Sequence, residues 1–590
     1  MINSDRGRGI RFLAGHSARD RHDVYIDEKD LKQHALIVGS SGSGKSRLIE
    51  SLIQQIAEAR PRRGALLLDP HGSAYENLKR HFANNPAYRK RVLAFDVNDE
   101  KDFFGLNMFQ RNGLNVDDQV SQIIRSVSKV AGDELEQAAP RRERWERNTF
   151  LVAVKNGLTW PDLPYFLLDD ELKMKLVDAG TDFYLQSEWS ELCGITRVQD
   201  RWTVIEAVLN RTRKFVNEHS SLIFGQAQTT IPIRRAMDEG LIVLVNLLPK
   251  KVSQEITSMI GVLLCDAVLN SALQRVPDVS RPFYFFIDEC GEMSSPDLAR
   301  SLNALRKFCV SCFFACQELA QLKRKGDERL YHACLTDCHT KFIFSTSYAD
   351  SVPLADELFV GKIRGDRVKH QNTRTMLMPK ETTRKIKGSS RMESESEGDS
   401  NGTTIGESSG TMEGFSQMYS SEAFSITAYD SFNLSSADSY GESSSSFSSH
   451  TSSKTTARGE SETTVPFYEY HAETEEAGRD YYSVEETKEK FRSFIVNLSQ
   501  RMFQFKVRGK PPVLTVAPNV PDAKATGRMI RRLEASTTAN YCLPRETIVT
   551  QLAERKQRLL VQDTQPLTPD MEVFLRNSGS PADGEDRSES

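Results

Sequence analysis

Eight residues constrain this chain more than any others. Gly39-Ser40-Ser41-Gly42-Ser43-Gly44-Lys45-Ser46 fits the spacing G-x-x-x-x-G-K-[ST]. Before it, His34-Ala35-Leu36-Ile37-Val38 reads as a short buried strand. After it, Leu48, Ile49, Leu52, Ile53 and Ile56 recur at helical spacing. In that context the glycines let the backbone curl so that successive N–H groups point inward at phosphate oxygens, and the helix N-terminus adds positive potential. Lys45 would reach the outer phosphates and Ser46 would ligand Mg²⁺, with Arg47 continuing the nucleotide contacts. The plainer alternative is a Gly/Ser-rich turn before a helix, and the complete match between strand and helix weighs against it.

A triphosphate site needs acidic groups as well. Phe283-Tyr284-Phe285-Phe286-Ile287-Asp288-Glu289 is an apolar strand ending in two carboxylates. Doubly wound sheets place their ligands at such strand ends. Asp288 is the candidate for the water shell of Mg²⁺, and Glu289 the candidate base for an attacking water. An acidic loop after a strand would look the same in isolation. Further on, Leu305-Arg306-Lys307 leads into the strand Phe308–Ala315, which ends at Gln317. Gln317 could sense the outermost phosphate through a water. Arg306 could stabilise transition-state charge across a subunit boundary. Otherwise Arg306 is a surface cation near a helix end, and Gln317 a strand cap. The reading requires the Lys45 ammonium and the Asp288–Glu289 carboxyl groups to converge, on neighbouring strands of one sheet.

The rest of the chain fits an alternating α/β protein with a mainly parallel sheet. Gly64–Asp69 and Arg91–Asp96 are further buried strands. From about 115 to 225 the β-runs vanish, and all four tryptophans (Trp145, Trp160, Trp189 and Trp202) fall in this helical block. Strands return at Ile242–Leu247, Phe283–Ile287, Val310–Ala315 and Lys341–Phe344. The sheet is therefore built from both flanks of the block. Residues 389–464 are Ser-rich and nearly free of Val and Leu, a composition that cannot bury enough apolar surface to offset ordering entropy. They are expected to be disordered, although sparse aromatics such as Phe415 and Tyr440 leave extended strands as an alternative. A helix over Val484–Arg501 and an extended Phe503–Val507 follow. The expected domains are 1–114 and 229–388 as two halves of one nucleotide-binding domain, and 115–228 as an all-α insertion. Residues 389–464 form the low-complexity segment, 465–560 an α/β segment packing on the nucleotide domain, and 561–590 a frayed tail.

Charge adds a constraint. The net charge is −4, but residues 389–464 hold 3 basic and 12 acidic side chains, so they contribute −9 and the remainder +5. One segment carries the acidity and the rest is mildly basic. Arg141-Arg142-Glu143-Arg144-Trp145-Glu146-Arg147 reads either as a DNA contact or as a solvated helix face laced with Glu–Arg pairs. The nine cysteines suit reduced thiols packed as small hydrophobes. A metal cluster of Cys309, Cys312 and Cys316 with Cys334, Cys338 and His339 is disfavoured, because a strand would turn Cys309 and Cys312 to opposite faces. The polar N-terminus, Met1 to Asp30, has no signal-peptide core, and no stretch approaches the ~20 apolar residues of a membrane helix.

Taken in order, Gly39–Ser46, Asp69-Pro70-His71-Gly72, Gly105-Leu106-Asn107, Ile223-Phe224-Gly225-Gln226, Asp288-Glu289, Leu305-Arg306-Lys307 and Gln317 resemble the HerA/FtsK superfamily of DNA-pumping ATPases. Within it, the chain most resembles the conjugative coupling proteins of type IV secretion, the TraG/TraD type. The likeness covers roughly 25–365 and, more weakly, 466–520. It implies a RecA-like P-loop domain binding ATP and Mg²⁺ through Lys45 and Ser46. It implies Asp288 and Glu289 as the strand-end acid pair, Arg306 as arginine finger and Gln317 as sensor. It implies a homo-hexameric ring that moves DNA, with relaxase or secretion-channel proteins as partners of the helical domain. Typical coupling proteins carry N-terminal membrane helices. The expectation here is a cytoplasmic motor, held peripherally at the inner membrane by a separate anchor subunit if at all. Two other readings stay open: a nucleotide-dependent scaffold that recruits cargo, and a soluble HerA-like motor in DNA repair or phage defence.

Overall fold

A computed structural model describes residues 10–132, 140–178, 183–323, 327–359, 368–390, 459–481 and 484–560. The Ser-rich residues 391–458 and the tail 561–590 lie outside the described residues. The chain divides into two compact units, Met1–Gly361 with Lys488–Ser590, and Lys362–Thr487.

The strands before the helical block are β1 (Arg11–Ser17), β2 (Asp23–Asp27), β3 (Ala35–Val38), β4 (Gly64–Asp69), β5 (Val92–Asp96) and β6 (Asp102–Phe104). After it come β7 (Ile242–Asn246), β8 (Phe283–Ile287), β9 (Val310–Cys316), β10 (Thr340–Ile343), β11 (Val368–Ser390) and β12 (Gly459–Tyr481). The last three are β13 (Met502–Val507), β14 (Val513–Val516) and β15 (Cys542–Pro544). In the first unit they build an eleven-stranded sheet in the order β2-β1-β14-β13-β10-β3-β9-β8-β4-β7-β5. The seven strands from β10 to β5 run parallel. β3, β4, β7, β8 and β9 are buried along their whole length, as a sheet covered on both faces requires. Side-chain alternation divides the core in two. Leu66 and Leu68 face the layer that includes the helical block, and Ala65 and Leu67 face the helix Lys45–Glu58.

The parallel sheet is as expected, but its antiparallel edge is not. The polar N-terminal stretch forms the β1–β2 hairpin, and β1 pairs with β14. β13 lies antiparallel to β10, with Phe342 opposite Phe505. Edge strands keep one face wet, so short alternations such as Phe12/Ala14 and Val24/Ile26 suffice, and charged pairs such as Arg11–Asp27 sit between them. The helix expected over Val484–Arg501 stops at Val496.

Between β6 and β7 the described residues are helical, apart from connecting turns. Trp145, Trp160 and Trp189 are buried there, with Trp145 edge-on to Trp189 and Trp160 stacked on Phe109. Trp202 stays exposed. Much of the basic stretch is paired within the block. Arg144 meets Glu188, Arg147 meets Asp117, and Glu146 lies 3.8 Å from Arg142 and 2.9 Å from Arg211. This favours the ion-paired face over a DNA contact for those residues. The helix Gln254–Leu273 corrects the expectation that no stretch approaches membrane-helix length. It is long and apolar enough, with mean hydropathy 1.7, but 83% of that window is buried within the fold.

In the second unit, β11 and β12 form an antiparallel two-stranded sheet. The register sets Arg374 opposite Glu475, Lys380 opposite Glu469 and Lys387 opposite Glu462. The strands reach into the Ser-rich stretch at Ser389–Ser390 and Gly459–Thr464.

His34 opens β3 in the left-handed region (φ 58°) and is buried. Its Nε2 donates to Leu302 O at 2.8 Å, and its Nδ1 accepts from Cys312 N at 3.0 Å. Burial pushes its pKa from 6.5 down to about 4. Folding therefore favours the neutral ring. The resulting stability is complete above pH 6.5 and is lost as pH falls toward 4, a change of about 3 kcal/mol. His34→Gln is expected to flatten the dependence of thermal midpoint on pH across that window. An unchanged slope would contradict this assignment.

Candidate functional site

The helix Lys45–Glu58 begins inside the glycine motif. Its cap residue, Gly44, has φ 116° and makes no side-chain cap bond, so the first-turn N–H groups face the loop without a capping acceptor. Lys45 is buried and curls over the loop, its Nζ donating to Gly39 O and to Ser40 O at 3.2 Å. Burial lowers the Lys45 pKa, while Asp288 and Glu289 pull it back up. Ser43 Oγ is buried with no hydrogen-bond partner. A buried, unpaired hydroxyl beside the uncapped first turn of a helix fits a phosphate oxygen. Ser46 follows Lys45 in the first turn and is half-buried.

β8 delivers the acid pair. Asp288 is 3% exposed, and its carboxyl is pushed up to about 7, first by burial and then by Asp69 and Glu289. A buried carboxyl group crowded by two others fits a divalent cation, whose charge would restore the ionised form. Mg²⁺ keeps several waters and needs few protein ligands, and Ser46 and Asp288 are the residues that would hold it here. Glu289 behaves oppositely. Burial raises its pKa, but His71 and Gln317 hydrogen bonds and the Lys45 charge outweigh this and lower it overall. Its Oε1 accepts from Gln317 Nε2 at 2.7 Å and pairs with His71 Nε2 at 3.2 Å. Glu289 also sits in the left-handed region (φ 49°), a costly conformation for a non-glycine residue and one that clusters at functional sites.

Lys45, Asp288, Glu289 and Gln317 thus meet at one end of the sheet. One expectation needs correction. β3 and β8 are not neighbours, because β9 lies between them and pairs with both. That intervening strand is what carries Gln317 to Glu289. Arg306 is at the far end of the same strand. It is exposed on the helix Leu302–Lys307, which precedes β9, whereas Gln317 follows β9. At ~3.3 Å per residue, the seven residues of β9 separate the two by about 20 Å. Arg47 also departs from expectation. Its guanidinium is engaged with Glu50 at 3.1 Å and with Asp522, outside the phosphate loop.

His71 is the site residue that sequence reasoning missed. Asp69-Pro70-His71-Gly72 served only as a signature, yet its parts have distinct tasks. The Asp69 carboxylate accepts from the N–H groups of His71, Gly72 and Tyr75 at 2.8–2.9 Å, fixing the turn that aims His71 at Glu289. Gly72 has φ 73°, and a Cβ there would stand 3.0 Å from Asn246 Oδ1. The signal was present in this turn directly after a buried strand ending in Asp.

Two family models match the chain. One, described as "Helicase HerA, central domain", covers residues 13–267, and the other, described as "Type IV secretion-system coupling protein DNA-binding domain", covers 235–392. An uncharacterized protein of Aquifex aeolicus is 33% identical over 64 residues, 11% of this chain and about a quarter (24%) of its own length. Among solved structures, the unbound bacterial conjugative coupling protein TrwBdeltaN70 aligns with TM-score 0.47 and 12% identity, over 87% of this chain and 91% of that one. Plasmid coupling protein TrwB in complex with the ATP analogue ADPNP aligns with TM-score 0.44 and 16% identity, over 61% and 79%. VirB4 of Thermoanaerobacter pseudethanolicus aligns with TM-score 0.41 and 14% identity, over 61% and 90%. The two models together span residues 13–392, and over that length the chain is similar to the HerA/FtsK-type P-loop ATPases and to the type IV secretion coupling proteins.

Proposed function

We propose that this chain hydrolyses ATP at the subunit interfaces of a homo-hexameric ring and uses the conformational change to move DNA, or DNA with attached protein, toward a type IV secretion system. One observation carries the reading. Lys45, Asp288, Glu289 and Gln317 converge, while Arg306 stands at the opposite end of β9, away from its own phosphate loop, which supports a role toward the nucleotide of a neighbouring copy. Lys45, the Ser43 hydroxyl and the N–H groups of Ser41, Gly42 and Gly44 to Ser46 hold the phosphates, those of Gly39, Ser40 and Ser43 being bonded to Cys316 O, Ser345 O and Ser40 O. Ser46 and Asp288 would hold Mg²⁺, which when bound neutralises phosphate charge. Glu289, kept ionised by its hydrogen bonds, takes a proton from the attacking water, and Gln317 orients that water. DNA, relaxase or channel proteins read by the helical block, and a separate membrane-anchor subunit are the partners this reading calls for.

ATP turnover of the purified chain is expected to rise severalfold on adding DNA, as a translocating motor requires. Turnover indifferent to both single- and double-stranded DNA would favour the cargo-recruiting scaffold instead. The breadth of the HerA match, 13–267 against 235–392, supports a second motor reading in DNA repair or phage defence. A nuclease gene beside this one, rather than a relaxase gene, would favour it.

A further inference from the structure

The phosphate loop is gripped from outside by the two chain segments that lead into and out of the 362–487 unit. The outgoing segment is the helix Tyr348–Phe359 and the returning one is the helix Val484–Val496. The two helices are clasped side by side. Lys488 Nζ lies 2.7 Å from Asp356 Oδ1, and Tyr348 Oη donates to Glu489 Oε2 at 2.8 Å. Leu354, Leu358, Phe491 and Ile495 are buried in one core cluster.

At their base both segments close on Gly39–Ser46. Ser345, just before the outgoing helix, accepts from Ser40 N at 2.7 Å, and its Oγ donates to Val496 O at 2.7 Å. Past Val496, Gln500 Nε2 donates to Gly42 O at 3.0 Å, and Arg501 N donates to Ser43 O at 2.8 Å. Arg501 takes φ 69°, locked by Ala517, whose N–H bonds Arg501 O and whose O accepts from Arg501 Nη2. The fit leaves little slack. A Cβ on Gly39 would stand 2.5 Å from Phe344 Cβ, and one on Gly44 would stand 3.3 Å from Arg501 Cα.

A planar trans peptide points its C=O and its N–H in opposite directions. Holding the Ser43 carbonyl outward therefore aims the Gly44 N–H inward, toward the phosphates, while holding the Gly42 carbonyl outward sets the Ser43 N–H against Ser40 O at 3.3 Å and closes the turn of the loop. We propose that Ser345, Gln500 and Arg501 are positioning residues of the nucleotide site, and that through them nucleotide occupancy is coupled to the helix pair and so to the 362–487 insertion. The proposal rests on the nucleotide reading above. A phosphate that fixes the inward N–H groups strengthens the outward bonds, and by linkage whatever engages the insertion changes nucleotide affinity by the same factor.

Hydrogen–deuterium exchange of the full-length chain, with and without a non-hydrolysable ATP analogue and Mg²⁺, tests this. In the wild type, nucleotide is expected to protect residues 39–48 and also 348–359, 484–501 and the strands 368–390 and 459–481. Ser345 is half-buried and Gln500 is exposed, so Ser345→Ala with Gln500→Ala is expected to fold. At saturating nucleotide that variant, which loses the Ser345 Oγ–Val496 O and Gln500 Nε2–Gly42 O bonds but keeps the backbone ones, retains protection at 39–48 and shows a reduced response elsewhere. Its affinity for the analogue falls roughly three- to tenfold. Wild-type helices and strands that exchange identically with and without nucleotide would overturn the proposal, as would a variant that keeps the whole response. Absence of protection at 39–48 in the wild type would instead overturn the nucleotide reading, and the coupling with it.

Discussion

Lys45→Ala is expected to reduce ATP turnover by at least about 10³-fold while leaving the thermal midpoint nearly unchanged. Among the described residues, the Lys45 ammonium is the one cation that both curls over the phosphate loop and interacts with Asp288 and Glu289. In this low-dielectric pocket its charge acts on the phosphates with little screening, and no water can replace it at equal strength. The fold does not need it. Burying the ammonium opposes its own ionisation, and its partners, Gly39 O and Ser40 O, lie in a loop that opens to solvent at Ser40, Ser41 and Gly42. Steady-state phosphate release and a thermal melt of the same sample check both halves. A variant that melts normally and turns over ATP at the wild-type rate would remove Lys45 from the site.

The second large effect is expected from Arg306→Ala. Hydrolysis should fall by about 10³-fold or more, the range for loss of an arginine finger, with nucleotide binding retained. In the ring proposed above, the separation of Arg306 from its own Gln317 by the length of β9 makes this effect intermolecular. Mixing therefore gives the sharper result. Arg306→Ala chains and Lys45→Ala chains, each inactive alone, should recover part of the activity when combined, because some interfaces then pair an intact loop with an intact finger. No recovery in mixed assemblies, or full activity of Arg306→Ala by itself, would return Arg306 to the status of a surface cation beside His34 and His339.

The chemistry was more legible in the sequence than the connections were. The phosphate loop, the Asp288–Glu289 strand end and Gln317 could be read directly, because each depends on residues a few positions apart and on continuous apolar runs that only a covered parallel strand tolerates. The partner of Glu289 could not. His71 lies 218 residues away in sequence and reaches Glu289 only because β4 pairs with β8. Arg47 misled for a related reason. Its place after Ser46 suggests a nucleotide contact, but Asp522, from the other end of the chain, takes its guanidinium.

The sequence by itself determined that a phosphate loop sits between a buried strand and an amphipathic helix, that an acid pair ends an apolar strand, and that the sheet is split by a long helical block. Spacing and hydrophobic period carry that information over short stretches of chain. Tertiary structure alone decided that β9 separates β3 from β8, that residues 502–516 extend the sheet, and that Gln500 and Arg501 brace the phosphate loop. Apart from the Gln500 side-chain bond to Gly42 O, those features depend on backbone hydrogen bonds between distant segments, and backbone groups are the same in every non-proline residue, so local side-chain pattern does not reveal which distant segments they join.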